Sequence, residues 1–156
     1  MLSQEGFKNL HCLDISEAML KVARQGDYPI RIYNEDASKT HFKDGVFDIV
    51  IISFAIHEKE REIQERIIKE GYRILKEDGF ILVVDYVFDD HTTGPIKAGI
   101  RIIERIAGKK HYLNFKNYIR NNGLSGLIKD SKFALIQERR AMFNGVTIST
   151  YKKSVA

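Results

Sequence analysis

The sequence predicts an α/β fold, a mostly parallel sheet with covering helices and an antiparallel hairpin at its carboxyl end. Three observations carry this. Apolar strand patterns alternate with helical ones as far as Asp90, the order that produces parallel pairing. FDIVIIS and FILVVDYVF are near-continuous apolar runs, as expected of parallel strands covered on both faces. The closing segment FALIQERRAMFNGVTISTYKK sets β-branched and aromatic runs on either side of Asn144-Gly145, a hairpin signal.

Taken in order, Leu10 to Leu13 read as a short strand ending at Asp14. Ser16 is a good helix N-cap, and Glu17 follows in the first turn, where the helix dipole favours an anion. Met19, Val22 and Ala23 share one helix face, and Gly26 is placed to end the helix. IRIY is a strand that stops at Asn34, and EDASKTHFKDG is loop. After the FDIVIIS strand, a helix is expected from Lys59 to Leu75, with Ile63, Ile67 and Ile74 inward and Glu65–Lys69 type pairs outside. KEDG then turns into the FILVVDYVF strand. Ile96, Ile100, Ile103 and Ala107 form one stripe of an amphipathic helix, better suited to core packing than to a substrate lid. FKNYIRNNGLSGLIKD is a helical region interrupted by Gly123 and Gly126, and the hairpin follows.

Composition narrows the class. A chain of 156 residues, 44% hydrophobic and 29% charged, suits a single domain over residues 1–156, since about 70% of the unfolded surface is buried at that size. The lone Cys12 cannot form an internal disulfide and points to a reducing cytoplasm, where its apolar strand makes it an inert thiol. Ser3, Gln4, Glu5 and Lys8 interrupt any signal-peptide run, and IVIISFAI falls far short of the ~20 residues that span a bilayer. The net charge of +4 raises nucleic-acid binding, but bases and acids interleave, as in EKEREIQERIIKE, which describes a solvated helix face instead.

In open parallel sheets, ligands lie over the carboxyl ends of the strands. Four polar signals sit there: Asp14, Asp36-Ala37, Ser53 with His57, and Asp85-Tyr86. An acid at a strand tip can accept from both hydroxyls of a nucleotide ribose, because a carboxylate has two acceptor oxygens and the diol two donors. The segments LDISEAMLKVAR, NEDASKTHFKDGVFDIVIISFAIHE, RILKEDGFILVVDY and HYLNFKNYI, with the terminal hairpin, resemble class I S-adenosylmethionine-dependent methyltransferases. The nearest type is the small-molecule one related to quinone biosynthesis. The resemblance implies a Rossmann-like methyltransferase fold with S-adenosylmethionine as cofactor and a small-molecule acceptor. It makes Asp14 the ribose ligand, with Ile15 and Met19 lining the adenosine pocket. It also sets Asp36 against the adenine amino group, the Ala37 backbone N–H against the ring, and Ser53 beside the methionine moiety.

One departure stands out. The family's Gly-x-Gly cofactor loop after a first strand is absent from the sequence. Such a loop lies ~20 residues before the ribose acid in dinucleotide folds, which from Asp14 passes Met1. MLSQEG looks like the tail of a first helix capped by Gly6. The expectation is therefore an amino-terminally truncated fold that binds its cofactor weakly. It would lack the strand that the family places between those bearing Asp14 and Ser53. Those two strands could pair directly, take a strand from another chain, or rearrange. A homodimer is expected, because both are apolar edges of the kind proteins avoid leaving open. Two other functions stay open: a non-catalytic remnant, and an interaction subunit completed by a partner.

Other candidates carry less. His57, beside Glu58, could act as a general base, and Tyr86 is a second catalytic candidate. Asp89, Asp90 and His91 are metal-ligand types, but consecutive spacing rarely lets all three reach one ion, so a solvated loop and no metal are expected. Lys109, Lys110 and His111 could meet an anionic substrate, although a charged surface turn accounts for them.

Overall fold

The structure, a computed structural model, describes residues 5–26 and 29–154. They fall into two compact units, one running to His41 and the other starting at Phe42. The expected helix tail over Met1–Gly6 lies mostly outside the described residues; Glu5 and Gly6 form a turn.

The first unit is a β–α–β element. Strand β1 (Leu10–Asp14) pairs in parallel with β2 (Ile30–Asn34), with Asp14 opposite Asn34. Between them lies α1 (Glu17–Arg24), whose first turn is capped by the Ser16 hydroxyl accepting from the Met19 N–H at 3.4 Å. The helix ends at Gln25, one residue before the expected Gly26. Its buried side chain is Leu20, whereas Met19 and Val22 are 57% and 61% exposed. The face read from the sequence as one stripe is therefore the open side of the helix. Cys12 is half-buried, and burial, then the Asp14 charge, pushes its thiol pKa up.

The second unit holds a four-stranded sheet in the order β3-β4-β6-β5. Strand β3 (Phe47–Ser53) runs parallel to β4 (Leu75–Tyr86), and β4 pairs antiparallel with β6 (Val146–Lys153). Strand β5 (Phe133–Ala141) closes the hairpin with β6. The sheet is thus mixed, parallel on one side of β4 and antiparallel on the other. KEDG does not precede β4 but sits inside it: the register jumps from Phe47–Leu75 to Ile49–Phe80, so Lys76 to Gly79 form a bulge. The bulge brings backbone close, since a Cβ on Gly79 would stand 2.9 Å from the Asp48 carbonyl oxygen.

Helix α2 (Arg61–Ile74) covers the β3–β4 pair, with Ile67, Ile68 and Ile74 buried and Ile63 half-buried. Together with Ile81 and Val83 of β4 these make the core, and each fully buried side chain contributes about 1.5–3 kcal/mol. FDIVIIS is not covered on both faces. Ile52 is buried, but Ile49 and Ile51, which alternate to the other face, are 39% and 47% exposed. Among the described residues β1 belongs to a two-stranded sheet with β2, and β3 is an end strand of the four-stranded sheet.

Three helices follow β4: α3 (Gly94–Ile106), α4 (Lys109–Arg120) and the short α5 (Gly123–Ile128). The buried line of α3 is Ile100 and Glu104, with Ile96 half-buried. Ile103 and Ala107, expected inside, are exposed. An acid occupies the inner stripe in place of an isoleucine.

Candidate functional site

At the carboxyl end of the β1–β2 pair, Asp14 is the last residue of β1 and Asp36 lies just beyond β2. The pairing is parallel, so both acids stand at the same end of the element. Asp14 Oδ1 accepts from the Ser16 N–H at 2.8 Å, and its backbone carbonyl accepts from the Glu35 N–H at 3.3 Å. Asp36 Oδ1 accepts from the Ser38 N–H at 2.8 Å, which fixes the loop that carries Ala37. Ile15 is held through its carbonyl by Asn34 Nδ2 at 3.3 Å, yet 62% of the residue is exposed. With Met19 it presents apolar surface beside the acids.

In the second unit, β3 ends at the exposed Ser53. The chain then turns through Phe54 at φ +51°, a left-handed conformation that costs a bulky residue energy and so marks a constrained turn. Gln64 pins that turn by donating to the carbonyls of Ile56 at 3.2 Å and Lys59 at 2.8 Å. The turn buries His57. Its Nδ1 lies 2.5 Å from Asp85 Oδ1 of β4, and its backbone N–H donates to Asp85 Oδ2 at 3.2 Å. His57 Nε2 faces Glu104 Oε1 at 3.5 Å. Glu104 Oε2 lies 2.9 Å from His111 Nδ1 on α4, and His111 Nε2 pairs with Glu58. Tyr86 packs over His57, with ring centroids 4.8 Å apart.

Burial opposes protonation of His57, but the Asp85 carboxylate, followed by Glu104 and Glu58, carries its pKa up. Burial works against the Glu58 carboxylate too, yet Lys59 and His111 hold its pKa below the usual range. The Tyr86 phenol is pushed up by burial, then by Glu104 and Asp85. The network joins residues distant in sequence. His57, Asp85, Tyr86 and His111 were singled out by pattern, whereas Glu104 was missed. Its signal is an acid on the Ile96–Ile100 line of α3.

The remaining candidates lie outside this network. Asp89 binds Arg140 Nη2 at 2.5 Å and accepts from the His91 N–H at 3.0 Å, while Asp90 and His91 are exposed. Arg140 holds the Asp89 carboxyl down to about 2. Lys109 and Lys110 are exposed, and Lys110 pairs with Glu60 at 2.9 Å. A cavity of about 230 Å³ opens at the carboxyl end of β4, with Tyr86, Phe88, Asn122, Ser125 and Arg140 in its wall. A wider hollow of about 410 Å³, lined by Arg61, Arg120 and Lys129, contains none of the residues the sequence singled out.

Residues 1–83 match the family described as a methyltransferase domain. A curated Haemophilus influenzae protein described as uncharacterized is 26% identical over 139 residues, covering 73% of this chain and 55% of its own length. The chain thus spans about half the length of that relative. Among solved structures, a Pyrococcus horikoshii protein superposes with a TM-score of 0.71 at 18% identity, covering 98% of this chain and 76% of that one. A Methanosarcina mazei SAM-dependent methyltransferase gives 0.62 at 17% identity, covering 94% and 83%. The Burkholderia thailandensis 1,6-didemethyltoxoflavin-N1-methyltransferase, solved with 1,6-didemethyltoxoflavin and S-adenosylhomocysteine, gives 0.60 at 12% identity, covering 93% and 61%. At these identities the likeness is one of fold.

Proposed function

This chain belongs to the methyltransferase domain family, and on that premise we propose that it binds S-adenosylmethionine and serves methyl transfer to a small-molecule acceptor. The observation that carries the reading is the carboxyl end of the β1–β2 pair, where Asp14 and Asp36 stand together beside exposed Ile15 and Met19. That donor and acceptor set fits the nucleoside half of the cofactor. Asp14 takes the ribose diol, Asp36 the adenine amino group and the Ala37 N–H the ring, while Ile15 and Met19 cover the adenosine. Ser53 keeps the role that the resemblance gives it, beside the methionine moiety. The methionine half is less well provided for, because the sequence has no Gly-x-Gly run to offer backbone N–H groups. Binding by this chain is therefore weak in this reading.

When bound, S-adenosylmethionine supplies an electrophilic sulfonium methyl group. The chain's part is positioning, which alone can supply much of the rate in a two-reactant displacement. The cavity at the end of β4 is the acceptor site in this reading. At about 230 Å³ it suits an acceptor smaller than most drug-sized ligands, which need ~300 Å³ or more. Tyr86 lines it, whereas the His57 side chain is only 4% exposed and lies behind Tyr86. His57 is then a positioning residue for Tyr86. The solved Burkholderia neighbour, with 1,6-didemethyltoxoflavin and S-adenosylhomocysteine together, supports a small acceptor here. The quinone-biosynthesis type remains the nearest resemblance.

The proposal extends to a cytoplasmic homodimer. The lone cysteine supports a reducing compartment. The end strands β1 and β3, and the exposed Ile102, Ile103 and Ile106 of α3, give a second copy apolar surface and open strand edges to cover. Calorimetric titration with S-adenosylhomocysteine tests the cofactor reading. Weak binding that Asp14→Ala weakens further supports it, and the absence of binding at millimolar ligand leaves the non-catalytic reading in its place.

A further inference from the structure

We propose that His57, Glu104 and His111 form a binding site for a divalent transition-metal cation, with Asp85 and Glu58 holding the two imidazoles. The proposal is independent of cofactor binding and rests on residues of the second unit alone.

The geometry comes first. One donor atom from each of the three side chains lies within 4.8 Å of the other two. Glu104 bridges them, with one oxygen 3.5 Å from His57 Nε2 and the other 2.9 Å from His111 Nδ1. An ion with bonds of about 2.0–2.2 Å to nitrogen and oxygen needs donors some 3–4 Å apart, so a small inward shift closes the set. The remaining nitrogen of each ring is also accounted for. His57 Nδ1 is held by Asp85 at 2.5 Å, and His111 Nε2 is held by Glu58. A carboxylate on the far nitrogen fixes the tautomer that leaves the near nitrogen's lone pair free for a metal, and metal-bound histidines almost always donate that far N–H to a carboxylate, a backbone carbonyl or water. Here it occurs twice.

Charge gives a second, separate argument. Glu104 is 3% exposed, and among the described residues its ion pairs are with the two histidines. It also sits in the last turn of α3, where the helix dipole disfavours an acid. Asp85 is fully buried beside it. Three carboxylates, those of Asp85, Glu104 and Glu58, meet the two histidines, and the Lys59 ammonium lies 2.5 Å from Glu58. A divalent cation offsets this surplus of acids. Two imidazoles with one carboxylate suit zinc, cobalt or iron(II) rather than magnesium or calcium, which prefer all-oxygen sites. The ligands come from the β3–α2 turn, from α3 and from α4, so the ion would tie these three segments together.

The test uses the full chain stripped with a chelator and titrated with Co²⁺ and then Zn²⁺. We expect visible Co²⁺ absorption bands that saturate at one equivalent and are displaced by Zn²⁺, and a melting temperature that rises with Zn²⁺. Glu104→Gln and His111→Ala should each weaken binding by at least about 100-fold, and Asp85→Asn by about 10–100-fold through His57. His91→Ala and Asp14→Ala, outside the cluster, should leave metal binding unchanged, which separates this result from the fate of the cofactor reading. Where a cluster variant does not fold, the unmodified chain decides through the histidine ring resonances. Broadening by Co²⁺ should be strongest at the rings of His57 and His111 and weaker at His91, which lies outside the cluster. Absence of Co²⁺ bands, or metal binding untouched by Glu104→Gln and His111→Ala, overturns the proposal.

Discussion

Asp85 holds His57 at two points, with its Oδ1 2.5 Å from the imidazole Nδ1 and its Oδ2 accepting the His57 backbone N–H at 3.2 Å. The carboxylate therefore fixes both the ring and the turn that carries it. Removing one partner of a buried pair leaves the other uncompensated, so Asp85→Ala is expected to cost about 3–5 kcal/mol. Asp85→Asn keeps the shape and one acceptor and should cost less. Urea denaturation of the two variants checks the order, and equal losses would mean that shape alone matters.

The α3 helix rests on the hairpin turn at Gly145. A Cβ there would stand 2.7 Å from Ile96 Cγ2 and 3.2 Å from the Met142 carbonyl oxygen. Gly145→Ala should therefore destabilise by about 1–3 kcal/mol, the usual cost of overpacking. Adding Ile96→Ala, which removes the Cγ2 methyl, to that variant should recover part of the loss if the clash is with this side chain. Thermal melts of the single and double variants make the measurement.

Acid stability should follow Asp89. Arg140 depresses its carboxyl pKa to about 2, below the ordinary value of 3.8. A group whose pKa is lowered by folding stabilises above its unfolded pKa and loses that contribution as pH falls through the folded value. The loss is thus expected between about pH 4 and pH 2. Asp89→Asn should flatten this limb of a stability-against-pH curve, and a curve unchanged by the substitution would show that the pair carries no linkage.

Cofactor affinity should depend on Asp14. Its carboxylate is the only β1 side chain assigned to the ribose, and hydrogen bonds to a charged group contribute about 1.5–3 kcal/mol. Asp14→Ala should weaken S-adenosylhomocysteine binding by that amount in calorimetry. Unchanged affinity would make Asp14 solely the residue that turns the chain into α1 through Ser16.

Self-association should run through α3. Ile102, Ile103 and Ile106 are 60%, 57% and 81% exposed on one helix, and a charge at the most exposed of them should oppose docking. Light scattering is expected to give a dimer mass for the unmodified chain and a monomer mass for Ile106→Glu. A monomer before substitution would remove the homodimer from the proposed function.

Most elements were legible because they depend on local chemistry: the Ser16 cap, the strand ends at Asp14 and Ser53, and the Asn144-Gly145 turn. What failed depended on neighbours. Apolar periodicity set Met19 and Val22 on a common face but could not say that Leu20 would be the buried side chain. It reads FDIVIIS as doubly covered, though the face that carries Ile49 and Ile51 is open. KEDG carries turn residues, and the structure uses them as a bulge within β4 because strand pairing resumes beyond it. The site shows the same division. Strand-end acids could be read by position, but Glu104 looked like one more charge on a helix until His57 and His111 arrived from 47 residues before it and seven after it.

The central strand β4 pairs in parallel with β3, which is made before it, and antiparallel with β6, which is made long after it. Tyr86 meets Val146 across roughly 60 residues that include all of α3, α4 and α5. At about 5–20 residues per second of synthesis, β4 waits several seconds on the ribosome with one apolar edge unsatisfied. During that interval FILVVDY is the segment of the nascent chain with the strongest claim on a chaperone, and substitutions that slow closure of the β5–β6 hairpin should reduce the yield of soluble protein before they change its final stability.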